Sequence, residues 1–143
     1  MSADVQSLAS DLSVAVVRLT RHLRGRRSDS PISLTQLSAL STLRREGSMT
    51  PGLLAARERV QPPSMTRVIA SLSELGLVER TPHPTDGRQI IVTPTPAGRS
   101  LVDDENSARE AWMTDQLGIL GDHQIQVLRD AVDIINSIVN ETE

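Results

Sequence analysis

The chain has 143 residues, no cysteine, phenylalanine or tyrosine, one tryptophan, and a formal net charge of −3. This length suits one domain, or one compact module with extensions, and the missing cysteines exclude disulfides, thiolate metal sites and thiol redox sensing. No stretch approaches the roughly 20 apolar residues needed to span a bilayer, and Met1-Ser2-Ala3-Asp4 leads into no signal-peptide pattern, so a cytoplasmic protein is expected.

With aromatics nearly absent, the core falls to Leu, Ile, Val, Ala and Met, which favours helices packed on one another. The net charge hides an asymmetry. Residues 1–99 carry 13 Arg against 8 acidic residues, and residues 100–143 carry 2 Arg against 10. A cationic portion joined to an acidic one is the footprint of a nucleic-acid-binding module with a separate assembly or solvation segment. All 15 basic residues are Arg, a side chain suited to bidentate phosphate and guanine contacts.

Val5, Leu8, Leu12, Val16, Leu19 and Leu23 recur at helical spacing over Ala3–Arg24, predicting an amphipathic helix of about six turns. Gly25 to Pro31 reads as its stop and a loop. No adjacent segment covers the apolar face, so it must pack far along the chain or on another subunit. Ser33 caps a second helix carrying Leu34, Leu37, Leu40 and Leu43, which ends near Glu46-Gly47. Thr50-Pro51 opens a third with Leu53, Leu54 and Ala56. Gln61-Pro62-Pro63 opens a fourth, whose stripe of Met65, Val68, Ile69, Leu72 and Leu75 is expected to be buried and which Gly76 ends. Short helices joined by a tight turn, the last with a proline-marked start, form a helix-turn-helix pattern.

The period then changes. Leu77–Thr81 and Gln89–Thr93 are β-prone and flank a polar turn with Asp86-Gly87 near its tip. A hairpin in that place is a wing. Pro94 removes a ladder donor, so the second strand is expected to end by Thr93. Thr95-Pro96 caps a helix to about Leu117, Gly118–Gly121 breaks it, and Asp122 is expected to cap a last helix presenting Ile125, Leu128, Val132, Ile135 and Val139 on one face.

The stretch Ser33–Gly98 resembles the MarR family (multiple antibiotic resistance regulators). Leu34-Thr35-Gln36 with Leu40, Leu75-Gly76-Leu77-Val78-Glu79-Arg80, Asp86-x-Arg88 and Thr95-x-x-Gly98 carry the resemblance. Two positions depart from it: Gly87 stands where a basic residue is usual, and Pro94 where a Leu is. The resemblance implies a mainly α fold, a winged helix-turn-helix with a two-stranded β wing and N- and C-terminal helices forming a dimerisation bundle. The expected division is residues 1–32 and 99–143 for dimerisation and 33–98 for DNA binding. It further implies a homodimeric transcriptional regulator, a repressor, on a pseudo-palindromic operator, released by a small aromatic or phenolic effector whose binding residues the sequence does not name.

On the fourth helix the face opposite the apolar stripe offers Gln61, Pro63, Ser64, Thr66 and Arg67 near its start, where a recognition helix meets base edges in the major groove. Helix-start chemistry is the plainer explanation for Ser64 and Thr66, and a solvated surface charge for Arg67. In the wing, Arg88 resembles the family's minor-groove arginine. Asp86 then orients Arg88 or caps the turn, and Thr85 and Arg80 are weaker phosphate candidates. His22, His83 and His123 are far apart in sequence and no other ligand cluster exists, so neither metal nor cofactor is expected. No nucleophile motif or phosphate-cradling loop is present, so an enzyme is not expected. A second reading is a dimeric winged-helix interaction module without DNA binding, which the acidic net charge and Gly87 favour.

Overall fold

The computed structural model describes residues 2–24 and 30–142, the Arg24 side chain apart. The Gly25–Asp29 part of the expected loop lies outside the described residues. The elements are α1 (Ala3–Arg24), α2 (Leu34–Glu46), α3 (Pro51–Glu58), α4 (Pro62–Glu74), β1 (Val78–Pro82), β2 (Ile90–Pro94), α5 (Pro96–Leu117) and α6 (Asp122–Thr142). They form two compact units, one up to Ser107 and one from Ala108.

Local chemistry sets the helix ends in the first unit. At α2 the Ser33 hydroxyl accepts from the Gln36 N–H at 3.2 Å, and the Gln36 Oε1 accepts from the Ser33 N–H at 2.7 Å. This reciprocal box satisfies donors that a helix start leaves open. The Thr50 Oγ1 accepts from the Leu53 N–H at 3.2 Å to open α3, with Pro51 in its first turn. Gly76, at φ 74°, turns the chain out of α4 towards β1 in a region that costs a side chain dearly.

Leu40, Leu43, Leu54, Met65, Leu72, Val92 and Val102 are the largest fully buried side chains. They come from α2, α3, α4, β2 and the start of α5. Each such burial contributes about 1.5–3 kcal/mol relative to exposure, so this cluster holds the three short helices and the hairpin together. The expected α4 stripe is buried at Met65, Ile69 and Leu72 and partly so at Val68, but Leu75 is 49% exposed. Leu75 is the C-cap residue, one step past the last helical position. The inward role passes to Leu77, which is buried and whose N–H donates to the Leu72 carbonyl at 2.9 Å.

The hairpin is antiparallel, with Val78 opposite Pro94 and Pro82 opposite Ile90. Pairing therefore reaches Pro94, beyond the expected end at Thr93. Register explains why proline is tolerated. The Thr95 N–H bonds the Leu77 carbonyl at 3.0 Å, making Leu77–Thr95 a hydrogen-bonded pair. Val78–Pro94 is then a pair whose N–H groups face away from each other, and the missing donor costs β1 nothing. The outer side of β2 takes one further bridge: Val92 donates to the Met49 carbonyl at 2.9 Å and accepts from its N–H at 3.2 Å.

Asp122 was expected to cap the last helix. It is instead the first residue of α6. The cap position falls to Gly121, whose carbonyl accepts from the Ile125 N–H at 3.0 Å and whose N–H donates to the Gln124 Oε1 at 3.2 Å. Asp122 still places its carboxylate in the first turn, where the helix dipole favours it. Two helices leave apolar faces open. In α1, Val5, Leu8, Leu12, Val16 and Leu19 are exposed, and in α6, Leu128, Val132, Ile135 and Val139 are exposed. No helix among the described residues is long and apolar enough to cross a membrane.

Candidate nucleic-acid interface

The candidate residues fall into two clusters, one on the first turns of α4 and one at the hairpin tip. Gln61 stands at the N-cap of α4 in extended backbone, exposed and with no side-chain cap bond. Pro62 and Pro63 follow, so the helix starts with fixed φ angles and lacks two of the amide donors a helix start leaves open. Pro63, Thr66 and Arg67 are exposed and Ser64 is half-buried. The Thr66 hydroxyl donates to the Pro62 carbonyl at 3.0 Å, which turns its proton into the helix. The Arg67 Nη2 donates to the Ser64 Oγ at 3.3 Å. This draws the guanidinium toward the helix start while leaving its other N–H donors available.

Contacts between distant residues join α2 to α4 and to α3. The Gln36 Nε2 donates to the Ser71 Oγ at 2.7 Å, joining the cap of α2 to the body of α4. The Glu58 carboxylate accepts from Ser38 and from Thr42, each at 3.1 Å, and the Arg57 Nε lies 3.3 Å from the Glu46 Oε1. These pairs fasten α3 to α2. Sequence reasoning missed all of them, because spacings such as the 35 residues between Gln36 and Ser71 carry no local signal. Arg59, at φ 53°, takes the left-handed conformation that turns α3 toward α4. No glycine marks that turn in the sequence.

At the wing tip the Asp86 Oδ1 accepts from the Arg88 N–H at 3.1 Å and from the Arg88 Nε at 3.3 Å, and the Oδ2 accepts from the Gln89 Nε2 at 3.1 Å. Asp86 thus both closes the turn and holds Arg88. The Arg88 backbone amide, its guanidinium and then Gln89 hold the Asp86 carboxyl below the usual carboxylate range. Hydrogen bonding to the charged form acts in that direction. A depressed carboxyl contributes order that is present above its ordinary range and lost only as pH falls below it. The Arg88 side chain is 93% exposed, and its Nη1 and Nη2 take no partner among the described residues. Thr85 points differently. Its N–H and hydroxyl lie 3.2 and 3.4 Å from the His83 Nδ1, inside the turn. Arg80 is exposed on β1, opposite Val92.

Residues 32–90 match the MarR family. An HTH-type transcriptional regulator of Mycobacterium bovis is 54% identical over 135 residues, spanning 94% of each chain. One from Mycobacterium leprae is also 54% identical over the same share. The chain belongs to the MarR family.

The resemblance drawn from Leu75–Arg80, Asp86-x-Arg88 and Thr95-x-x-Gly98 is thereby borne out, and the relatives make this MarR-family chain a transcriptional regulator. Its fold is that of a MarR family protein from Bacillus stearothermophilus, with a TM-score of 0.86 at 20% identity over 98% of this chain and 99% of that one. The mainly α winged helix-turn-helix with a two-stranded wing, expected from the sequence, is this fold. NadR, in a structure with 4-hydroxyphenylacetate, aligns with a TM-score of 0.66 at 22% identity over 87% of this chain and 89% of that one.

Proposed function

We propose that this regulator is a homodimeric repressor that occupies a pseudo-palindromic operator in duplex DNA. The observation that carries the proposal is the start of α4. A double-proline helix start, on a helix tied to α2 by the Gln36–Ser71 bond, presents Gln61, Ser64, Thr66 and Arg67 on the side away from the core. A helix so placed enters the major groove with its first turns. Arg88 at the exposed wing tip suits the narrow minor groove beside it. Two copies would meet successive major grooves about 34 Å apart.

In this reading residues 33–98 bind DNA, and residues 1–32 and 99–143 assemble the dimer in the cytoplasm. The chain performs no chemistry of its own. The exposed apolar rows of α1 and α6 support the assembly, since monomers rarely leave such contiguous faces to water. Replacing Leu12 and Val132 together by glutamate is expected to turn a dimer into a monomer in light scattering at micromolar concentration. A pair of charges on such a face must otherwise be desolvated. A double variant that still elutes as a dimer would count against this assembly.

Selecting bound fragments from genomic DNA and sequencing them tests the main reading. Enriched sites should contain inverted half-sites about one helical turn apart, with affinity falling steeply as salt rises. Absence of sequence-specific enrichment at low salt would overturn it, leaving an interaction module without DNA binding. The effector in this reading is a small aromatic or phenolic anion, supported by the ligand of NadR. It releases the operator only if it binds more tightly to the dimer whose two lobes are wrongly spaced. Titration with 4-hydroxyphenylacetate should then weaken operator binding.

A further inference from the structure

The wing tip, residues 83–89, contains an acceptor that the DNA-binding reading leaves unused. The His83 Nδ1 lies 3.2 Å from the Thr85 amide nitrogen and 3.1 Å from that of Asp86, with the Thr85 hydroxyl at 3.4 Å. Two amide N–H groups converge on one ring nitrogen, so Nδ1 must offer a lone pair and the proton of the neutral ring resides on Nε2. The pattern is that of an Asx turn, in which an Asn or Asp oxygen accepts from the amides just ahead of it. Here an imidazole does that work.

The bond is the first link of a chain to Arg88. His83 holds the Asp86 amide, and the Asp86 carboxylate holds both the Arg88 amide and its Nε. The His83 N–H donates to the Gln89 carbonyl at 3.2 Å, closing the base of the tip. We propose that His83 is a positioning residue of the wing, and that proton uptake at its Nδ1 opens the tip and withdraws Arg88 from DNA.

Protonation would set a third N–H against the two that already point at Nδ1, so the turn cannot keep its geometry. The charged groups near the ring are few. Asp86, itself paired with Arg88, faces it from the tip and attracts a positive ring. Below them β1 carries Glu79 and Arg80 opposite Thr93 and Val92, and β2 carries no ionisable residue. Arg88 keeps the Asp86 carboxyl below its usual range. Asp86 therefore stays ionised across the range of about pH 5 to 8, in which an imidazole is the kind of side chain that takes up a proton. The added charge of an imidazolium at this half-exposed site is partly screened by salt, whereas the lost acceptor is not.

The proposal concerns the free protein first, and only its last step rests on the DNA-binding reading. Long-range proton–nitrogen NMR of the full chain without DNA should show the Nε2–H tautomer of His83 at about pH 8, with slow exchange at the Thr85 and Asp86 amides; at about pH 5.5 that protection should be lost. His83→Asn, which supplies an oxygen acceptor that does not titrate, should keep both amides protected at both pH values. On the selected operator at constant salt, the wild type should lose about tenfold in affinity between those pH values, the scale of one lost arginine contact, while His83→Asn loses less than about threefold. His83→Ala should bind weakly at both. His22 and His123 are present in every variant, so the comparison removes their effect. A proton on Nδ1 at pH 8, or one shared pH profile for wild type and His83→Asn, would overturn the proposal. Absence of operator binding at any pH, with the amides still following His83, would overturn the DNA-binding reading and its gating step together, while the turn assignment stands.

Discussion

Replacing Arg67 and Arg88 together by alanine is expected to lower affinity for the selected operator by about 10²–10⁴-fold at fixed salt, since a good base contact contributes roughly 1–3 kcal/mol. The two arginines sit on different elements and share no partner: Arg67 bonds Ser64 on α4, and Arg88 bonds Asp86 in the wing. Their effects should therefore add. The single variants should separate the two modes of reading. Arg67→Ala should relax preference at one position of each half-site, and Arg88→Ala should weaken preference for A·T pairs flanking it. Fluorescence anisotropy across a salt series distinguishes both from loss of phosphate contacts, which would also flatten the salt dependence. Both side chains are exposed, so thermal melting should be unchanged. A double variant binding within about threefold of wild type would place recognition elsewhere.

Gly98→Ala should cost about 2–4 kcal/mol of folding stability, against the usual benefit of alanine in a helix of up to about 1 kcal/mol. A Cβ at Gly98 would land on the Leu77 carbonyl oxygen and stand 3.2 Å from the Leu40 Cδ1. The carbonyl is backbone and already committed: it accepts from the Thr95 N–H at 3.0 Å. The Thr95 hydroxyl in turn accepts from the Gly98 N–H at 3.1 Å and donates to the Gly76 carbonyl at 2.7 Å. Shifting α5 to make room would break this cap and lift Val102 from the core. Gly52→Ala is the matched control, since a Cβ there meets nothing within 4 Å inside α3. It should be neutral or stabilising by up to about 1 kcal/mol. Urea unfolding of the two variants beside wild type checks both signs, and equal midpoints for Gly98→Ala and wild type would refute the packing argument.

Gly98 shows how a residue can be legible in sequence for one reason and necessary for another. It was visible as part of Thr95-x-x-Gly98, yet its φ is not of the kind that demands glycine. The demand is for space, set by a carbonyl 21 residues earlier. The α4 stripe makes the same point at Leu75, where helical spacing continued the pattern one residue beyond the helix. Pro94 was judged by its missing donor, but whether that donor matters depends on which way register points it. In the candidate interface, Ser64, Thr66 and Arg67 could be placed on one helix face by counting. That Arg67 leans on Ser64, that Gln36 reaches Ser71, and that an imidazole closes the wing could not.

The sequence alone therefore determined the order of elements, the Ser33 and Thr50 caps, the turn at Gly76 and the apolar faces of α1 and α6. Each rests on residues within one or two helical turns of each other, where chain geometry leaves few alternatives. Only the tertiary structure decided the register that spares Pro94, the space that requires Gly98, the bond from Gln36 to Ser71 that ties α4 to α2, and the convergence of two amides on His83. Those features pair groups brought together by hairpin closure or helix packing, and the free energy of such pairs depends on the geometry of the whole fold.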